Sequence, residues 1–195
     1  MPVRYFYDTE FLEDGSTIEL ISIGIVSNDG REYYAVNADM PVDRIKKNDW
    51  ILNNVWPQLP LRGYRSELVS VGGSIQRKTT VPGSLDTTST LVRPRWVIRN
   101  EVRDFILGDP KSEELPAIEL WADFGDYDHV VLAQLFGPMI RLPEGIPMFT
   151  RDLQQRLSEL GHPRVPVQDT GLHHALDDAR HVKAVFDYLE AGEQA

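Results

Sequence analysis

Three strand-like segments in immediate succession open this chain, and no other feature narrows its fold as far. Val3 to Phe11 is rich in aromatics, and Thr17 to Ser27 is dense in isoleucine. Aromatic and β-branched runs of this kind fit a pleated, half-buried surface. Asn28-Asp29-Gly30 then supplies a tight turn, because these residue types tolerate the positive φ values that hairpin turns require. Glu32 to Val36 is the third segment. Strands joined by so few residues have no room for a crossover, so the spacing predicts an antiparallel meander.

Helical spacing appears only later. Asp49 to Val55 reads as a short helix stopped by Pro57. Arg95 to Leu107 reads as a longer one, with Trp96, Ile98, Val102, Phe105 and Ile106 on its apolar face. Between them, Pro57 to Pro94 has no helical period and is rich in Gly, Ser, Thr and Pro; a connection of that length inside a compact domain is often functional. Within it, Leu68 to Val71 and Gly72-Gly73 suggest a small excursion of strands. Ala117 to Ala122 is a buried-type strand leading into a helix from Asp126 to Phe136. Thr150 is the expected N-cap of a further helix closed by Gly161. Ala175 to Leu189 forms the last helix, with Ala175, Ala179, Val182, Phe186 and Leu189 on one stripe. This order describes an α/β fold: a mixed five-stranded sheet, meander plus parallel strands, flanked by helices in the ribonuclease-H-like arrangement. At 195 residues, with no internal repeat and no linker, the chain is expected to be a single domain.

Composition excludes several functional classes. There is no cysteine, so disulfides and thiolate sites are out, and any bound cation must use oxygen or imidazole ligands. No apolar run approaches the roughly 20 residues that span a bilayer. The N-terminus lacks the basic-then-apolar pattern of a secretion signal, so a cytoplasmic protein with no membrane partner is expected. A formal net charge of -10 argues against a protein that grips a long duplex, since phosphate binding leaves a basic footprint. The charge is uneven, however. Arg62, Arg65, Arg77, Lys78, Arg93, Arg95, Arg99 and Arg103 stand against only Glu67, Asp86 and Glu101, a +5 island in an acidic chain. Such an island is either a solvated loop or a contact for nucleic acid.

Against that background the chain carries a scattered group of acids. Asp8 and Glu10 lie two apart on the first strand, so both side chains leave the same face. Neighbouring carboxylates repel each other unless cations lie between them. A surface pair on an edge strand would also explain them. Near the start of its helix, Asp128 has the helix dipole as a sufficient explanation, and Asp123 and Asp126 are competitors. Asp128 is preferred because an aromatic precedes it and an apolar helical face follows. His173 and Asp178 change the balance. Asp178 lies in the first turns of the last helix and His173 just before it, where an imidazole is suited to take a proton from water at physiological pH. The plainer alternative is a polar lead-in at His173-His174 and capping by Asp177-Asp178. Taken jointly, four carboxylates and a histidine are what a two-metal phosphodiester hydrolase needs, and carboxylate-dominated sites favour magnesium or manganese.

Asp8-Thr9-Glu10, Tyr127-Asp128 and His173-His174-Ala175-Leu176-Asp177-Asp178-Ala179 resemble the three motifs of the DEDD exonucleases of the histidine type, the ribonuclease T or oligoribonuclease-like superfamily. More narrowly, the stretches from Tyr5 to Phe11 and from Ile18 to Gly24 look like the small actinobacterial 3′-5′ exoribonucleases of the ribonuclease AS type. So do Glu119-Leu120-Trp121-Ala122 and Tyr127-Asp128-His129. The resemblance runs through nearly the whole chain except residues 62–94, which look like a basic, Gly/Ser/Thr-rich insertion. It departs at Asp123-Phe124, where many relatives carry His-Asn. His174 beside His173 offers a second register, which the Ala-Leu-x-Asp-Ala spacing resolves to His173. His129, His162 and His181 are left as structural or surface residues.

The resemblance implies a function. Asp8, Glu10, Asp128 and Asp178 would hold two divalent ions, Mg2+ or Mn2+. His173 would take the proton of the attacking water, and Glu10 would also help hold a terminal 3′-hydroxyl. The implied substrate is a single-stranded RNA 3′ end, adenylate-rich tails among the candidates, with nucleoside 5′-monophosphate as product and a homodimer as the working form. Base stacking needs aromatic or apolar groups near such a site, which makes Phe11 and Leu12 the candidates for substrate binding, with Trp121 expected in the core. Competing readings are a DNA 3′-5′ exonuclease of the proofreading type, a phosphatase with Asp8 as phosphorylated nucleophile, and a non-catalytic nucleic-acid-binding module on the same fold. The phosphatase lacks an evident downstream lysine. Decay to a module normally removes a metal ligand, and all five positions are present.

Overall fold

The computed structural model describes residues 2–108 and 117–193. The meander forms as its turn chemistry dictates. Strands β1 (Val3–Glu13), β2 (Ile18–Ser27) and β3 (Glu32–Asn37) pair antiparallel in succession, with Asp8 opposite Gly24 and Ile23 opposite Ala35. Gly30, at φ +88°, closes the second turn in the left-handed region that glycine enters without steric penalty. A single helical turn, α1 (Val42–Ile45), leads to α2 (Asp49–Asn54). Asn48 caps α2 by accepting the Ile51 N–H at 3.0 Å. The stop at Pro57 is a 3-10 turn over Trp56–Gln58 that buries the Trp56 indole.

The long stretch that follows holds more strand than its composition announced. β4 (Leu61–Arg62) pairs with β7 (Ser84–Leu85), and between them β5 (Arg65–Val71) and β6 (Ser74–Val81) form a hairpin. Gly72 and Gly73, at φ +58° and +86°, make its two-residue turn, a conformation reserved for residues that accept positive φ twice in a row. β8 (Val92–Arg93) then pairs parallel with β3. It adds one strand to the five expected. A two-residue strand carries no readable alternation, which is why the sequence pattern missed it.

The rest alternates helix and strand: α3 (Arg95–Leu107), β9 (Ile118–Ala122), α4 (Asp126–Leu135), β10 (Arg151–Asp152), α5 (Leu153–Glu159) and α6 (Ala175–Glu193). The cap of α5 is Asp152 rather than the expected Thr150; its carboxylate accepts the Gln155 N–H at 2.9 Å. Thr150 lies ahead of β10, and its hydroxyl donates to the Leu120 carbonyl instead. Among the described residues the main sheet has six strands in the order β10-β9-β1-β2-β3-β8, parallel at both flanks and antiparallel in the centre.

Strand alternation divides the core. Tyr5 and Tyr7 of β1 join Ile23 and Ile25 of β2 against Ile98, Val102 and Ile106 of α3 and Val131, Leu132 and Leu135 of α4. Phe6 points the other way, into Trp121, Leu153, Val182 and Phe186 under α5 and α6. A third cluster joins Leu12, Ile21 and Val36 to Ile51, Val55 and Trp56 of the α2 region. Each large side chain so buried contributes roughly 1.5–3 kcal/mol. Asp8 and Glu10 are in phase with Phe6, so they leave β1 on the face that α6 covers. Among the described residues no helix is long and apolar enough to cross a membrane.

Candidate active site

The site forms where β1 outruns its neighbour. Pairing with β9 spans Val3 to Phe6, so past Phe6 that edge of β1 has no strand beside it. Asp128, in the first turn of α4, takes up the freed donors: its Oδ1 accepts the Thr9 N–H at 2.8 Å and the Thr9 hydroxyl at 2.6 Å. The side chain is buried, 5% exposed. A carboxylate from α4 is thereby fastened between Asp8 and Glu10. The two competing acids go elsewhere. Asp126 is exposed, and Asp123 accepts a hydrogen bond from Gln154 Nε2 at 2.7 Å.

The start of α6 closes the site from the other side, and Gly24 lets it approach. A Cβ on Gly24 would stand 2.3 Å from the Leu176 backbone nitrogen and 2.4 Å from the Ala175 carbonyl group. Since Gly24 is the β2 partner of Asp8, this contact lays the first turn of α6 directly beside the acids. The chain enters that turn through Gly171 and His173, at φ +73° and +63°. A histidine in the left-handed region is uncommon and marks a tightly constrained position. Ligand atoms of Glu10, His173 and Asp178 all lie within 4.8 Å of one another. His174 turns away and packs on Tyr34, ring centroids 4.4 Å apart, with Nδ1 3.3 Å from Asp177.

Electrostatics at this cluster are strained in one direction. Burial, reinforced by Asp178 and Asp128, pushes the Glu10 carboxyl up to about 8. Burial raises Asp128 to about 6, against the opposing hydrogen bonds from Thr9. Asp8 is held well above the usual carboxylate range by burial and then by Asp128, Glu10 and Asp178. Asp178 is raised by burial, partly offset by the Gln168 amide, whose Nε2 donates to Oδ1 at 2.7 Å. Among the described residues no lysine or arginine pairs with any of the four. Packed carboxylates without a cationic partner, beside an imidazole, are a donor set that divalent cations complete. The residues present therefore fit a hard metal ion.

Phe11 and Tyr127 adjoin Glu10 and Asp128 in the chain, and Trp50 touches His173. Phe11 stacks on Tyr127 with centroids 5.9 Å apart and planes 17° from parallel, and Tyr127 is 59% exposed. Leu12 is 5% exposed and belongs to the core beside α2, leaving it little face to offer. Trp50 of α2, 55% exposed, meets the His173 ring edge-on at 4.8 Å. Trp121 is buried among Phe6 and Phe186.

The model of the 3′-5′ exoribonuclease Rv2179c-like domain matches residues 3–189, so it takes in the acids, the histidine and the residues that seat them. The chain belongs to the Rv2179c-like 3′-5′ exoribonuclease family. It is 42% identical over 193 residues to 3′-5′ exoribonuclease Rv2179c of Mycobacterium tuberculosis strain H37Rv, across 99% of this chain and 96% of that protein. The same figures hold for 3′-5′ exoribonuclease MT2234.1 of the CDC 1551 strain of that organism.

In this Rv2179c-like chain, Asp123-Phe124 occupies the bend between β9 and α4. Phe124 is 70% exposed at φ +53°, and its side chain stands free for contact. Sequence reasoning did not find Thr9, Gln168, Trp50 or the part played by Gly24. Thr9 lay inside a quoted motif, and its hydroxyl between two acids was the available signal. Gln168 and Trp50 reach the site only through tertiary contact, and no spacing in the chain announces them.

Proposed function

We propose that this chain is a divalent-metal-dependent exonuclease that shortens single-stranded RNA from its 3′ end, releasing nucleoside 5′-monophosphates. The observation that carries the reading is the meeting of Glu10, His173 and Asp178 within 4.8 Å, next to an Asp128 fastened to the strand between Asp8 and Glu10. Asp8, Glu10, Asp128 and Asp178 are the residues that would hold two Mg2+ or Mn2+ ions, which supply charge neutralisation at the scissile phosphate and acidify water. His173 accepts the proton of the attacking water as the new O–P bond forms and the bond from phosphorus to the 3′ oxygen of the preceding nucleotide breaks. Glu10 has a second task at the terminal 3′-hydroxyl, which restricts cleavage to chain ends.

Phe11, stacked on Tyr127, and Trp50, beside His173, give the terminal bases flat apolar surfaces. Leu12, the other apolar candidate for base contact, leaves the opposite face of β1 from Phe11 and packs beside α2. Gln168 and Thr9 orient Asp178 and Asp128, the outer partners that metal-binding carboxylates need. The proposal takes the chain as one exonuclease domain with residues 62–94 as an inserted arm, acting in the cytoplasm as a homodimer.

The test uses a labelled single-stranded RNA, manganese and a matched DNA. The intact protein should give a ladder of shortened RNA and released 5′-monophosphate, abolished by a chelator and lowered by orders of magnitude in Asp8→Ala. Adenylate-rich RNA belongs among the first substrates. Internal cutting, faster DNA hydrolysis, or an active Asp8→Ala would each contradict the assignment.

A further inference from the structure

The β5–β6 hairpin has almost no interior. Every residue of its two strands is exposed except Val69 and Thr79, which are half-buried. A lone two-stranded hairpin is marginal in water, so something must fasten it. Thr79 does so: its N–H donates to Asn53 Oδ1 at 2.7 Å and its hydroxyl to the Leu52 carbonyl at 2.8 Å. Both partners belong to α2, the helix whose Trp50 meets His173. Three residues of helix, about 4.5 Å of axis, separate Trp50 from Asn53. The base of the arm is therefore tied to α2 one helical turn from Trp50, the residue that meets His173.

The arm's cations sit near that base. Arg77 and Lys78 directly precede Thr79, and Arg65 opens the opposite strand across from Val81. Among the described residues none of the three makes an ion pair or a side-chain hydrogen bond. Several arginines around the main sheet do close on acids: Arg44 holds Asp14 and Glu19, Arg180 holds Glu32 and Asp177, and Arg31 holds Asp29. Lys78 even faces Glu67 across the ladder without closing on it. Leu68, 72% exposed, lies opposite Arg77 and shares its face, and Ile75, 75% exposed, lies two residues from Arg77 on the same side. Leu68 and Ile75 thus flank Arg77 on one face of the hairpin, while Lys78 leaves the other face across from Glu67, on a chain whose net charge is -10.

We propose that the β5–β6 hairpin is the docking surface for the single-stranded RNA that leads up to the cleaved 3′ end, with Arg65, Arg77 and Lys78 on its phosphates. This rests on the exoribonuclease reading of the site. The acidic remainder of the surface repels phosphates, and free cations on an arm tied to the helix that touches His173 answer to them in sign. The hairpin's four exposed aliphatic side chains, Leu68, Val71, Ile75 and Val81, are divided between its two faces, so neither face approaches the roughly 1,000 Å² that a stable contact between two copies requires.

The experiment compares the intact protein with a triple variant, Arg65→Gln, Arg77→Gln and Lys78→Gln, each checked for an unchanged melting curve. The readout is the ratio of kcat/KM on a long single-stranded RNA to that on a trinucleotide, which should fall about tenfold in the variant. In the Asp8→Ala background, where RNA is not consumed, the salt dependence of long-RNA binding should become shallower by about 2, or about 0.7 per charge removed. Arg65→Lys with Arg77→Lys should retain both properties. An unchanged ratio and slope would overturn the proposal, as would conversion of a dimer to a monomer by the glutamine variant, which would make the arm a contact between copies. Failure of the intact protein to shorten either RNA would instead sink the exoribonuclease reading, a distinguishable result.

Discussion

A Cβ on Gly24 would fall 2.3 to 2.4 Å from backbone atoms of Ala175 and Leu176, and neither α6 nor β2 has a flexible side chain there to yield. Gly24→Ala should therefore push the start of α6 away from Asp8, destabilising the protein by about 3 kcal/mol in urea unfolding. It should lower activity further than that loss alone explains, since His173 and Asp178 ride on the displaced turn. Unchanged stability and rate would show that α6 is not held where we place it. Gln168 acts more locally, donating to Asp178 from the loop before α6. Its replacement by alanine should weaken manganese affinity about tenfold while leaving the unfolding midpoint nearly unchanged. Calorimetric titration reads the first effect, and an affinity equal to that of the intact protein would remove Gln168 from the site.

Among the elements, those with a strong period were legible. α3 occupies Arg95–Leu107, the span its apolar face predicted, and the three meander strands lie within a residue or two of their expected bounds. β8, two residues long, was hidden because its identity lies in the neighbour it pairs with, whereas the equally short β10 takes the place of the expected fifth strand. The hairpin was glimpsed through Gly72-Gly73 and Leu68, but its extent was not, since its exposed strands carry no inside-outside alternation for a core to impose. One consequence belongs to this scale. Thr79→Val removes the hydroxyl that ties β6 to α2, so amide exchange across residues 65–81 should accelerate about tenfold, the loss of about one hydrogen bond, while the main sheet keeps its protection. Equal acceleration throughout would mean that the arm and the sheet open as one unit.

At the scale of the whole molecule, the acids were legible only in company. Asp8 and Glu10 alone suited an edge strand, and Asp128 alone suited a helix terminus; what joins them is the early end of the β1–β9 pairing, a property of the assembled sheet. Their crowding also sets a pH dependence. Glu10 at about 8 and Asp128 at about 6 sit above their ordinary values. A raised folded-state pKa gives stability that is complete below the unfolded value, near 4, and is lost as pH climbs through the folded one. Metal-free protein should thus melt progressively lower from about pH 5 to above pH 8, and Glu10→Gln should remove much of that decline. Manganese, which binds the ionised form, should raise the melting temperature by an amount that grows with pH. A melting temperature that rises with pH in chelator would contradict this.

The convergence of four distant carboxylates on one metal centre is tested most directly by counting manganese bound per chain in the presence of a nucleoside 5′-monophosphate. The intact protein should bind two ions, and Asp128→Asn and Asp178→Asn should each bind fewer or bind them far more weakly. Manganese stoichiometry and affinity that are indifferent to Asp128→Asn, the acid contributed by α4, would show that the carboxylates do not share a centre.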